Sequence, residues 1–374
     1  MLISDCEIIK QKIKDMKKIL ICAALGFFAV NAFADVKIEL KGFTNDSVLV
    51  STKEVTGKRI APDTVLVAKK GKLTLPDVQR NTRISIQPRE WNVNQSPYAT
   101  IYVAPGEKFT VTFTKKGSEQ DYKVKGSALQ AQVDEFDANL VSLVKKVNAM
   151  EKGAERDSLI AEYYALPKRY VEENPDSPLA FYALARTSDE EYVEKMMPKL
   201  GQGARSSMFA AYEEVLNAAV KRMHEIEAAK KQTAEGELAP DFELPTPDGS
   251  MLKMSSLRGK WVLVDFWGSW CIWCIRGIPQ LKANYDKYKD KMEVLSIACR
   301  DKKDKWLAAI EKHQLNWKHV ISEDVVPGTD KRVEQMFGVE GYPTKLLVNP
   351  EGKIVKRCVG EDPKFYDDFE ELMK

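Results

Sequence analysis

The sequence predicts an α/β domain at the C-terminal end, preceded by a small antiparallel β domain and a helical segment. Three patterns carry this reading. Residues 35–126 hold short runs in which apolar and polar residues alternate, residues 127–235 space their apolar residues three or four apart, and the remainder returns to apolar runs separated by helical stretches. The chain has 374 residues, 44% hydrophobic and 30% charged, which excludes a disordered, collagen-like or membrane-bundle protein. Its length suits about two or three domains able to bury cores without cross-links. A formal charge of +2 offers no broad field for a nucleic-acid backbone, so nucleic acid is not an expected partner.

The first element is an address. Met16-Lys17-Lys18 leads into an apolar run from Ile19 to Val30 and then Asn31-Ala32-Phe33-Ala34, the order of a basic region, an apolar core and a small-x-small cleavage site. The run falls short of the roughly 20 residues a helix needs to cross a bilayer. Residues 1–34 therefore read as an upstream extension plus signal peptide, with the start at Met16 and cleavage after Ala34. The mature protein is then periplasmic or otherwise exported. An uncleaved membrane anchor and lipidation of Cys22 are the competing readings, though Cys22 lies early in the apolar run rather than at its end. Cleavage removes Cys6 and Cys22 and leaves Cys271, Cys274, Cys299 and Cys358 in an oxidising compartment, where paired cysteines serve as a bridge or a redox couple.

Across 35–126, strands are expected at 36–40, 47–51, 83–87, 100–103 and 108–113, separated by turn signals such as Lys70-Gly71-Lys72 and Ala104-Pro105-Gly106. This segment holds no Cys or His, and its carboxylates are scattered among lysines, as on a solvated β surface. Across 127–235, Leu129, Val133, Phe136, Leu140 and Val144 set a helical period. Breakers at Gly153, Asn174-Pro175, Pro178, Pro198 and Gly201-Gln202-Gly203 divide it into about four or five helices. Tyr163, Tyr164, Tyr170, Phe181 and Tyr182 belong to its core or line a groove. The polar stretch 230–238 marks the boundary, and the last domain is 236–374.

In that domain Trp261-Val262-Leu263-Val264-Asp265-Phe266-Trp267 is fit for a buried strand, followed by a helix at 279–287, a strand at 292–298 and a helix at 306–313. A hairpin of 344–348 and 353–357 across Asn349-Pro350-Glu351-Gly352 and a helix at 363–373 close the chain. Trp270-Cys271-Ile272-Trp273-Cys274 lies where the first long strand gives way to a helix. A cysteine at a helix N-terminus faces unpaired N–H groups and the positive end of the helix dipole, which favour thiolate over thiol. Cys271 is thus the candidate nucleophile. Cys274, one turn on and expected to be the more buried, would resolve the mixed disulfide. Zinc would need two further ligands from Cys299, Cys358, His224, His313 and His319, none in a second tight pair, so no metal is expected. A purely structural bridge would close too small a loop to contribute much stability. Cys299 and Cys358 lie outside this motif.

The run from Asp265 to Cys274 resembles the active-site strand and turn of thioredoxins. Pro279 stands where that family has a helix-kinking proline, and Gly341-Tyr342-Pro343-Thr344 resembles the loop whose proline is cis there. Gly352 and Gly360 also match. Ala239-Pro240-Asp241-Phe242-Glu243-Leu244, with Asp248-Gly249 and Leu257-Arg258-Gly259-Lys260, is similar to the exported TlpA/ResA branch of the AhpC/TSA-thioredoxin superfamily, which adds an N-terminal hairpin. The resemblance covers about 236–374 and implies a thioredoxin-like α/β fold. Residues 35–235 resemble, more weakly, regions of poorly defined role attached to such domains in exported Bacteroidetes proteins.

The resemblance implies roles, and its strand order sets Cys299 and Cys358 on strands that are not neighbours, so these read as two thiols rather than a bridge. Asp265 would lie buried under the motif, with burial raising its pKa so that it exchanges a proton with Cys274. Pro343 would be cis and pack on the disulfide, presenting the Tyr342 backbone to a substrate strand and keeping metals off the thiolates. Trp270 and Trp273 would supply an apolar rim, with Trp267 in the rim or in the core. Two departures stand out. Trp273 occupies the place of the thioredoxin proline, so the reduction potential does not carry over, and Gly277 occupies the place of a ResA-type helix glutamate, whose work is absent or shared with Asp265. The implied activity is thiol-disulfide exchange without a cofactor, most readily reduction of protein disulfides with electrons from a membrane donor, with apocytochrome c as a candidate substrate. The competing functions are a disulfide oxidase or isomerase, a peroxidase, and an envelope binding or scaffold protein whose redox domain is auxiliary. The peroxidase reading suffers from Gly268, where peroxiredoxins carry a threonine.

Overall fold

The computed structural model describes residues 35–75, 78–92 and 98–373. The expected signal segment lies outside them. The chain divides into two compact units, with the boundary in sequence between Val215 and Leu216.

In the first unit, alternation of apolar and polar residues makes one face of each strand inward-facing. Strands β1 (Asp35–Lys41), β2 (Ser47–Glu54), β3 (Thr64–Val67), β4 (Lys72–Thr74), β5 (Thr82–Pro88), β6 (Ala99–Val103), β7 (Lys108–Lys116) and β8 (Glu119–Lys125) form two four-stranded sheets, ordered β4-β1-β7-β8 and β3-β2-β5-β6. Val36 and Ile38 of one sheet and Val48, Ile84 and Ile86 of the other bury their side chains in one shared core. All pairings are antiparallel except β1 with β7, which run parallel. Strands β3, β4 and β8 escape sequence reading because none of their residues is fully buried: they alternate at most between half-buried and exposed positions, so no strongly apolar face marks them.

Helix α1 (Ala128–Asn148) starts where the Ser127 side chain accepts a hydrogen bond from Gln130 N–H, and α2 (Ala154–Glu173) follows. Between Ala180 and Ala211 the prolines and glycines leave only short helical pieces, and α3 (Tyr212–Gln232) ends the series. Phe181 and Tyr182 are fully buried, with Tyr182 and Phe209 packed around Tyr102, whereas Tyr164 is exposed. The contacts draw the second unit from Leu216, upstream of residue 236, and Lys230 pairs there with Glu340 while the Thr233 hydroxyl reaches the Phe337 carbonyl.

The second unit opens with the short hairpin β9 (Glu243–Pro245) and β10 (Met251–Lys253). Its five-stranded sheet has the order β13-β12-β11-β14-β15, from β11 (Trp261–Trp267), β12 (Met292–Cys299), β13 (Lys318–Ser322), β14 (Thr344–Val348) and β15 (Ile354–Val359). Strands β11, β12 and β13 run parallel, and β14 lies antiparallel to β11 and β15. The central place of β11 explains its near-continuous apolar run: Val262, Val264 and Phe266 pack into one face and Leu263 into the other. Helices α4 (Ile272–Tyr288) and α5 (Lys303–His313) connect the parallel strands. The helix expected at 363–373 is instead a 3-10 turn at Pro363–Tyr366 and a short helix at Phe369–Leu372. Asp367 and Asp368, poor interior helix formers, separate them.

Phe266 is fully buried at the middle of the sheet against Phe337, with ring centroids 5.3 Å apart. Phe266→Ala is expected to cost about 3–5 kcal/mol of stability. Equilibrium denaturation of the full chain, followed by Trp fluorescence, measures it.

Candidate active site

Strand β11 ends at Trp267, residues 268–271 turn, and α4 begins at Ile272 with Cys271 as its N-cap. The Cys271 Sγ accepts a hydrogen bond of 3.1 Å from the Cys274 N–H, so this sulfur sits on one of the donors that a helix leaves unpaired at its start. Cys271 and Cys274 are joined as a disulfide with Cα atoms 5.3 Å apart. The expectation that Cys274 is the more buried does not hold in this oxidised form: the two are 5% and 6% exposed, because both pack into one apolar cluster with Trp267, Ile278 and Trp306.

The turn is held from several sides. Asp301 accepts from the Ser269 N–H at 2.6 Å and from the Ser269 hydroxyl at 2.8 Å. Gly268 has no side chain because the Trp270 indole occupies the space a Cβ would need. That indole donates to the Cys299 carbonyl at 3.1 Å and meets Tyr342 edge-on, 5.3 Å between centroids. The Tyr342–Pro343 bond is cis, and Pro343 is buried. Trp270, Ile272 and Trp273 are more than half exposed around the disulfide, with Arg276 over the Trp273 ring and Arg300 over Tyr342. Trp267 belongs to the core, not the rim.

Under Cys274 lies a small cavity of about 10 Å³, space for roughly one water molecule. Asp265, Ser296, Lys345 and Glu361 line it together with Cys274. Strand register places Ser296 of β12 and Lys345 of β14 on either side of Asp265. The Ser296 hydroxyl donates to Asp265 at 3.0 Å and itself accepts from the Trp317 indole at 2.9 Å. The buried Lys345 ammonium is paired with the Glu361 carboxylate. Burial pushes the Asp265 carboxyl above its ordinary value, while Lys345 and the Ser296 hydroxyl pull it down and Glu361 adds to the rise.

Sequence reasoning missed Lys345, Glu361, Ser296 and Trp317. One signal was available: Lys345 is a lone charge in the strand Thr344–Val348, whose residues are all buried, and such a charge requires a partner. The acid read as absent at Gly277 has a counterpart in space, since the Glu361 carboxylate lies where a side chain at 277 would begin. Cys299 and Cys358 are free thiols on strands separated by β11 and β14, and burial raises both above the ordinary thiol value.

Residues 236–357 match the AhpC/TSA family. The thiol-disulfide oxidoreductase ResA of Bacillus subtilis (strain 168) is 33% identical over 134 residues, 36% of this chain and 72% of that protein. The chain belongs to the ResA family of thiol-disulfide oxidoreductases. The ResA of Geobacillus thermodenitrificans is 31% identical over 132 residues, 35% of this chain and 72% of its own length. The crystal structure of the thioredoxin domain of a thiol-disulfide oxidoreductase from Bacteroides vulgatus is 30% identical, covering 38% of this chain and 99% of its own, with a TM-score of 0.34. This ResA-family chain is accordingly a thiol-disulfide oxidoreductase, with a thioredoxin-like C-terminal region and an additional β and helical region before it.

An acid whose folded pKa lies above its unfolded one holds its proton more tightly when folded, so it lowers stability as pH rises past the unfolded value near 3.8. Asp265→Asn removes that penalty. The variant is expected to be more stable than the parent at about pH 7, with the gap closing as pH falls toward about 4. Denaturant midpoints across that range measure it, and a variant less stable than the parent at neutral pH would contradict it.

Proposed function

We propose that this chain is an exported reductase of protein disulfides, working through the Cys271–Cys274 couple. The observation that carries the reading is the placement of Cys271 as the N-cap of α4, its sulfur on the Cys274 N–H. In the reduced protein the Cys271 thiolate attacks one sulfur of a partner's disulfide. A bond forms between Cys271 and that sulfur, and the partner's S–S bond breaks. The second partner sulfur leaves with the electron pair and takes a proton. Cys274 then loses its proton toward Asp265 and attacks Cys271, forming the intramolecular disulfide and releasing the first partner sulfur as a thiolate. Two electrons pass from the protein to the partner, and no cofactor takes part.

The exposed Trp270 and Trp273, with Tyr342 and Pro343, form the platform for a partner's extended segment. The residues at 16–34 support export, and a reductase in an oxidising compartment is resupplied by a membrane electron donor. On this reading 236–374 is the redox domain, while 35–126 and 127–235 are accessory. The opposite direction, oxidation of partner dithiols, uses the same residues. A second reading, in which the front unit is a binding module, draws on an open cleft of about 630 Å³ lined by Val50, Leu66, Leu75, Ile84 and Arg80.

Two cysteine variants test the reading. Cys274→Ser is expected to accumulate a mixed disulfide between the reduced Cys271 and a model partner that still holds its disulfides, such as native insulin, seen by mass spectrometry and reversed by dithiothreitol. Cys271→Ser is expected to reduce insulin no faster than buffer with dithiothreitol alone. Trapping on Cys274 instead of Cys271 would reverse the assigned roles.

A further inference from the structure

The cavity under Cys274 is more heavily charged than disulfide exchange by two cysteines and one buried acid requires. Lys345 is 3% exposed at its side chain, Glu361 18%, and the two are ion-paired. Burying such a pair costs several kcal/mol per ion before the attraction is counted, so its retention at this place calls for a use. The backbone delivers Glu361 there by a specific route. Gly360, at φ 83°, turns the chain out of β15, and its N–H donates at 2.7 Å to the carbonyl of Pro343. The next residue then folds back over α4, where Gly277 alone leaves room: a Cβ at that position would collide with the Glu361 carboxylate. Asp265 is enclosed on all sides at 5% exposure, so Glu361 is the acid of this cavity nearest to solvent.

We propose that Glu361, held by Lys345 over Gly277, is the positioning residue through which protons pass between solvent and the Cys274 side of the disulfide. This rests on the exchange reading of Cys271 and Cys274. During resolution the Cys274 thiol gives up its proton into the cavity, to Asp265 and onward along the Lys345–Glu361 pair. Its sulfur then forms the bond to Cys271, and the Cys271–partner bond breaks with the electron pair leaving on the partner sulfur. In the reverse step the same route returns the proton to the Cys274 thiolate. The ionisable groups lining this cavity are Asp265 of β11, Cys274 of α4, Lys345 of β14 and Glu361 after β15, with Cys358 of β15 and Tyr366 outside the lining but within electrostatic reach of Lys345, Asp265 or Glu361. Among these Lys345 is the one cation, so the Glu361 charge decides how much of it is left for a Cys274 thiolate.

The test titrates one cysteine at a time by thiolate absorbance. In the Cys271→Ser background, where Cys274 is the reporter, Glu361→Gln is expected to lower the Cys274 midpoint by about half a pH unit or more, which is roughly a threefold change in thiolate at a given pH. Baseline thiolate signal from Cys299 and Cys358 is subtracted with the Cys271→Ser, Cys274→Ser double variant. In the Cys274→Ser background, where Cys271 is the reporter, the same substitution is expected to leave the midpoint unmoved. Gly277→Ala keeps both charges and displaces the carboxylate, and it is expected to shift Cys274 in the same direction, which keeps the test open should Glu361→Gln fail to fold. An unshifted Cys274 midpoint in a folded variant, or equal shifts at both cysteines, would overturn the assignment. A parent protein that exchanges disulfides normally alongside an unshifted midpoint removes only the role of Glu361, whereas a parent that exchanges none removes the function reading itself.

Discussion

A carboxylate buried in the central strand beneath a disulfide is the constraint on which the second unit depends. β11 lies between β12 and β14 and packs on both faces, a position that suits apolar residues, yet it carries Asp265, which lines the same small cavity as Cys274. The neighbours on either side are therefore polar where the register brings them to Asp265: Ser296 on β12 and Lys345 on β14. Lys345 in turn requires an anion, and the chain after β15 supplies Glu361. Gly277 on α4 and the positive φ of Gly360 then follow as space and direction for that carboxylate. The disulfide thus rests on a connected charged floor, while the opposite side offers the helix N-terminus to Cys271 and an apolar rim to a partner.

Much of this was readable from the residues in order. The seven-residue apolar run of β11, the Cys-x-x-Cys at its end and the tyrosine–proline pair before β14 all announce themselves by local pattern, and the strand bounds Trp261–Trp267 and Thr344–Val348 agree with that pattern. β13 was missed because Lys318–Ser322 is short and places His319 in its buried run. The charged floor was missed for a different reason. Asp265, Ser296, Lys345 and Glu361 lie on four separate segments, and only strand register brings them together. Periodicity describes one element at a time, so it reports Lys345 as an anomaly in a buried strand and says nothing of its partner.

The two cysteines are almost equally buried in the oxidised form, and what differs between them is their electrostatic surroundings. Cys271 meets a helix N–H, which favours negative charge on sulfur. Cys274 lines a cavity that also holds the acids Asp265 and Glu361 and the Lys345 ammonium. In the proposed reductase, a dithiol with only one favoured thiolate would give its electrons away more readily than one whose two sulfurs are both stabilised as anions. The described residues that line the disulfide cavity all belong to the second unit.

The most direct test of the proposed direction is the reduction potential of the Cys271–Cys274 couple, measured on the chain by equilibration against dithiothreitol or glutathione and followed by Trp fluorescence. The account expects a reversible two-electron couple near or below the roughly −270 mV of thioredoxin. A value near the roughly −120 mV of a strong disulfide donor would contradict it.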